Sequence, residues 1–237
     1  MSKGGGVRIL ELRLATRDLR AQREFYAGTL GLRIVEDVPD CFAVQAGTTR
    51  LIFEKRPDMT GAYHLACNIP ENKLAQAKRW LRERAALLTQ GGEDEFYSQD
   101  WNARSLYFHD PAGNILELIA RHDLHNAAAG SFSERDLHSV SEIGWPVADV
   151  PASVSRLQEK LGLSVFKEQS DTFTPLGNDE GLLIVVPLGR PWFPTAAGAT
   201  VSPLEVVIAG ARAGEYVEPG LPYRVETRTQ DRRTSSG

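Results

Sequence analysis

The feature that most restricts the fold of this chain is an internal repeat at a fixed spacing. Glu11, in the strand-like run 9–15, recurs as Glu142 in the run 141–147, 131 positions later (142 minus 11). Leu30-Gly31-Leu32 recurs as Leu161-Gly162-Leu163, and Leu51-Ile52-Phe53 as Leu182-Leu183-Ile184, at the same spacing. Three landmarks in register identify two related halves. Each half reads as two smaller strand–helix–strand units. In the first, a strand at 9–15 leads into a helix at 19–30, whose Leu19, Arg23, Tyr26 and Leu30 share a face and which Gly31 stops. Strands follow near 32–37, 42–45 and 50–55. A second unit begins with a strand at 63–69. An amphipathic helix over 72–88, with Leu74, Ala77, Leu81 and Ala85 on its apolar face, and strands near 95–98, 104–109 and 115–120 complete it. The later half repeats the first unit: a strand at 141–147, a helix at 151–161, and strands near 164–167, 172–175 and 182–187. Its final unit is reduced: 203–209 suits a strand, but no amphipathic helix follows.

Asp110-Pro111-Ala112-Gly113-Asn114 reads as a tight turn feeding the strand 115–120. Glu117 interrupts that apolar strand, where a carboxylate is costly to bury without a partner. Strand alternation groups Glu11 with Ile9, Arg13 and Ala15, His64 with Ala66 and Asn68, and Glu117 with Ile115 and Ile119. Ser105, Tyr107 and His109 share another face.

The turn, the Asp18-Leu19 strand end, Phe25-Tyr26, Leu30-Gly31-Leu32, His64 and Glu117 together resemble the vicinal oxygen chelate superfamily, which contains glyoxalase I, extradiol dioxygenases and bleomycin-resistance proteins. The resemblance implies an α+β fold of tandem paired βαβββ modules, forming curved mixed sheets around a pocket. It divides the chain into a first glyoxalase-like domain (1–121), a linker (122–137), a second, truncated and degenerate domain (138–225) and a polar tail (226–237). It implies a divalent metal (Mn, Fe, Zn or Ni) held by Glu11, His64 and Glu117, with Glu11 standing where His or Gln is usual. One imidazole and two carboxylates suit such an ion and leave positions open. The competing reading of Glu11 is a salt bridge with Arg13, that of His64 a hydrogen-bonded core residue, and that of Glu117 a buried carboxylate with another partner.

In function the resemblance implies a metal-dependent enzyme acting on a small oxygen-chelating molecule. Lyase or isomerase chemistry is favoured over dioxygenation, with Glu117 or Glu11 as base and Arg13, Asn68, Arg104, Ser105 and Tyr107 as substrate contacts. A metal-free small-molecule or drug-binding protein is the alternative. The segment 189–194, with Trp192 and Phe193, reads as an insertion that acts as a lid or a domain contact. A net charge of −4 gives no footprint for nucleic acid. No apolar run is long enough to span a membrane. Two cysteines, Cys41 and Cys67, without a CxxC pair suggest a reducing, cytoplasmic setting. A homodimer is compatible with these features.

Overall fold

The computed structural model describes residues 6–228. Unit one is β1 (Arg8–Thr16), α1 (Leu19–Arg23), β2 (Arg33–Val38), β3 (Cys41–Ala46) and β4 (Thr49–Lys55). Asp18 caps α1 through the Ala21 amide at 2.9 Å, and the helix runs on as a π-helical turn over Glu24–Thr29 that buries Phe25 and Tyr26. Unit two is β5 (His64–Ile69), α2 (Leu74–Arg82), β6 (Phe96–Ser98), β7 (Ala103–His109) and β8 (Ile115–Arg121). Unit three is β9 (Ser139–Val147), α3 (Val150–Leu161), β10 (Thr174–Asn178) and β11 (Gly181–Pro187). Unit four is β12 (Leu204–Ala209), β13 (Gly214–Val217) and β14 (Tyr223–Arg228), with no helix.

Among the described residues the strands form two mixed sheets of seven. One runs β13-β14-β12-β1-β4-β3-β2 and the other β10-β11-β9-β5-β8-β7-β6. Within every unit the first and last strands are parallel neighbours. Units then join through antiparallel pairs of first strands, β1 with β12 and β5 with β9. The expected break at 122–137 is therefore a crossing of the chain from β8 to β9 within one sheet. Each sheet takes four strands from before it and three from after it. The apolar faces of both sheets and the three helices share one core, from Leu12, Phe42 and Phe53 to Leu106, Trp145 and Leu183.

Several elements depart from the sequence pattern. The helix expected over 72–88 stops at Arg82, because Leu87 and Leu88 pair with β7 instead; the Leu88 amide donates to the Tyr107 carbonyl at 2.8 Å. No strand forms at 164–167, where Val165 makes a single bridge to Leu176. The last unit adds β13 and β14, and β14 occupies positions 226–228 of the expected tail. The remaining positions, 229–237, lie outside the described residues. A β-bulge between Ile9 and Glu11 turns Ile9 into the core with Leu12 and Leu14, away from the face it was expected to share with Glu11.

Candidate metal and substrate site

The second sheet brings three donors together by register alone. On β5, Ala66 stands opposite Glu117 of β8 on one side and Glu142 of β9 on the other. Side-by-side residues share a sheet face, and His64, two positions before Ala66, shares it too. Neighbouring strands are about 4.8 Å apart, so two glutamates separated by one strand meet only across a small residue. The Ala66 methyl leaves that room. The His64 nitrogen and the two carboxylates offer one ligand atom each, all within 4.8 Å of one another, and all three residues are buried.

Each donor has its own support. Ser105 Oγ donates to Glu117 Oε1 at 2.6 Å, and His64 Nε2 lies 3.6 Å from Glu117 Oε2. Arg121, at the end of β8 and fully buried, donates to Glu142 Oε1. Its guanidinium also donates to Asn68 Oδ1 at 3.1 Å, stands 3.6 Å from the Asp179 carboxylate and lies over the Trp101 ring. Burial pushes the Glu117 carboxyl up to about 8, and the Glu142 charge adds to the shift against the Ser105 hydrogen bond. Burial raises Glu142 as well, opposed by Arg121. It lowers His64 to about 4, so the imidazole is neutral at physiological pH. His64 Nδ1 is buried without a hydrogen-bond partner.

The donors form the floor of a cavity of about 390 Å³ with aromatic walls: Phe96, Trp101 and Tyr107 from unit two, Phe173 from unit three, and Trp192 and Phe193 from the segment after β11. Gly189 and Ala199 close that segment into a small ladder, the Gly189 amide donating to the Ala199 carbonyl and the Ala199 amide to the Arg190 carbonyl, both at 2.8 Å. Trp192 packs on the His64 ring, with centroids 4.8 Å apart. Gly144 makes this approach possible, since a Cβ there would stand 2.8 Å from the indole.

Of the residues singled out from sequence, His64, Glu117, Ser105 and Tyr107 meet in this cavity. Glu11 does not. It lies on β1 of the other sheet, paired with Arg50 at 3.5 Å and Arg228 at 3.1 Å. Arg13 lies on that sheet as well, paired with Glu54 and Glu205 rather than with Glu11. Arg104 faces outward, 3.1 Å from Glu95. Asn68 does not line the cavity; it accepts from Arg121 and donates to the Asp179 carbonyl at 2.7 Å. The reason is the pairing of units. β5 is paired with β9, not with β1, so the first-strand carboxylate beside His64 is Glu142, the repeat image of Glu11. Arg121 and Arg190 are further residues at the cavity or beside its donors that strand patterning did not single out, whereas Trp192 and Phe193 come from the segment 189–194 expected as a lid or domain contact.

One imidazole and two carboxylates on a single floor fit a divalent cation. His64 is neutral and therefore a ready ligand, and Glu142 keeps its second oxygen free of Arg121.

A family model described as a glyoxalase-like domain matches residues 11–119. No curated protein matches the chain significantly. Among solved structures, a candidate dioxygenase from Bacillus subtilis subsp. subtilis str. 168 superposes with a TM-score of 0.59 at 15% identity, covering 94% of this chain and 85% of that one. A glyoxalase I mutant from Zea mays gives a TM-score of 0.59 at 15% identity over 94% of both chains. At such identity the likeness is one of fold.

Proposed function

We propose that this chain, with a glyoxalase-like match over residues 11–119 and the fold of solved glyoxalase and dioxygenase structures, is a vicinal-oxygen-chelate protein and a divalent-metal enzyme acting on a small oxygen-chelating molecule. The observation carrying this reading is the cluster of His64, Glu117 and Glu142 on the floor of an aromatic cavity. These three residues would hold the ion, which when bound supplies Lewis-acid polarisation of adjacent substrate oxygens. The protein's own residues divide the remaining work. Glu142 is fixed by Arg121, whereas Glu117 faces the cavity beside the Ser105 and Tyr107 hydroxyls. In its ionised form Glu117 is the carboxylate placed to take a proton from a carbon beside a carbonyl and return it elsewhere on the substrate. Tyr107 and Ser105 orient that carboxylate, and Trp192 excludes water from the His64 side. Proton transfer of this kind is isomerase or lyase chemistry and needs no oxidant.

Protein purified without added metal should carry near-stoichiometric Mn, Fe, Ni or Zn by mass spectrometry of the digested sample. Glu117→Ala and His64→Ala should lose it while keeping the wild-type circular dichroism. A metal-free preparation with no thermal shift from any divalent ion would refute the metal reading. That outcome would favour a metal-free binding protein, to which the Arg121–Glu142 pair and the proton held on Glu117 lend support: both leave the floor neutral without an ion.

A further inference from the structure

The cavity has one feature that metal chelation leaves unused. Arg190, in the ladder after β11, lines it together with the donors. Among the described residues lining the cavity it is the one arginine or lysine; no carboxylate of the described residues contacts it, and Glu168 acts on its charge only from farther off. Its guanidinium stands over the Phe173 ring, 5.0 Å from the centroid, and its side-chain hydrogen bond is a long one, 3.4 Å, to the Pro191 carbonyl. A guanidinium stacked on an aromatic face keeps its in-plane N–H groups free for a planar, bidentate acceptor. The other arginines at the sheet faces contrast with it: Arg13, Arg50 and Arg121 each meet carboxylates of the protein. Arg190 is half-buried, and its charge bears on His64 at the cavity floor. A cation with no carboxylate in direct contact, partly withdrawn from water beside apolar walls, is a ready partner for a ligand anion. The walls around it are rings, and about 390 Å³ suits a molecule of one ring and a short chain.

We propose that Arg190 determines specificity by binding the carboxylate of an aryl-bearing organic acid, whose ring lies among Phe96, Tyr107, Phe173 and Trp192. The proposal rests on the cavity being the substrate site, and it holds whether or not a metal occupies the floor. The donor cluster receives the oxygens at one end of the ligand, and Arg190 fixes the anion beside it.

The test is calorimetric titration of 3-phenylpropanoate and of its neutral isostere 3-phenylpropanamide into the full chain, as purified and after chelator treatment. Wild-type protein should bind the acid at least tenfold more tightly than the amide in both forms. Arg190→Gln should bring the two within about twofold by weakening the acid alone, and Arg190→Lys should retain part of the preference. Metal content should be wild-type in Arg190→Gln, which also shows that the site remains folded. An acid-to-amide ratio unchanged in Arg190→Gln, or no binding of the acid by wild-type protein, overturns the proposal. Absence of bound metal from the wild-type protein as purified, with this ratio intact, overturns the metal reading instead.

Discussion

At the scale of single residues, the site turns on which carboxylate carries a proton. Glu117 is raised in the folded protein from 4.5 to about 8, so between those values the native state holds a proton that the unfolded chain has released. Stability from this group therefore falls as pH rises through that window. His64, lowered from 6.5 to about 4, acts in the opposite sense, and its contribution rises with pH until about 6.5. The two slopes oppose each other at acid pH; above pH 6.5 the Glu117 loss is no longer offset by His64, and Glu142, which burial also raises, acts in the same sense as Glu117. Metal-free protein should accordingly lose thermal stability between pH 6.5 and 8. Glu117→Gln, which keeps the neutral amide shape, should flatten that part of the curve; a Gln variant with the wild-type slope would mean that Glu117 is not the group responsible. His64, Glu117, Ser105 and Tyr107 were legible because strand parity is a local property. Glu142 was visible only as the repeat partner of Glu11, since the choice between them depends on which first strand lies beside β5. No local pattern encodes a pairing between residues about 75 positions apart.

At the scale of elements, turn chemistry was read well and helix length was not. The turn between β7 and β8 forms around Asp110, whose carboxylate accepts from the Ala112 and Asn114 amides, Gln22 Nε2 and the Tyr26 hydroxyl. The same residue thus shapes the turn and ties it to unit one. Gly113 there has φ +81°, a conformation that side chains disfavour. Helix α2 is short because an apolar periodicity of 3.6 continued into residues that a neighbouring strand claims. The ladder after β11 had no signal beyond its two aromatics, yet it forms a wall of the cavity. Gly144→Ala should test that wall. The added methyl has to displace the Trp192 indole, and overpacking of this kind costs roughly 1–3 kcal/mol. A lowered urea midpoint with a red-shifted tryptophan emission is expected. Wild-type stability and emission would show that the loop adjusts freely and does not seal the site.

At the scale of the whole molecule, the division into an early and a late half describes the gene order better than the architecture. The spaced landmarks in the sequence suggest two related halves, but carry no sign that their units exchange partners between sheets. A fragment of residues 1–137 would retain eight strands yet expose the edges of β1 and β5 that β12 and β9 cover. Unpaired edges in apolar strands recruit other chains. Light scattering on this fragment should show dimers or larger species, and a well-folded monomer would contradict the sheet topology. The same exchange sets a timetable for synthesis. Leu14 pairs with Leu204, 190 positions downstream (204 minus 14), so at about 5–20 residues per second the ribosome needs roughly 10–40 s to deliver the missing edge. During that interval the nascent β1 is a solvent-open strand. The ion pairs of Arg13 and Glu11 with their β4 neighbours, all drawn from unit one, keep its outward face charged while it waits.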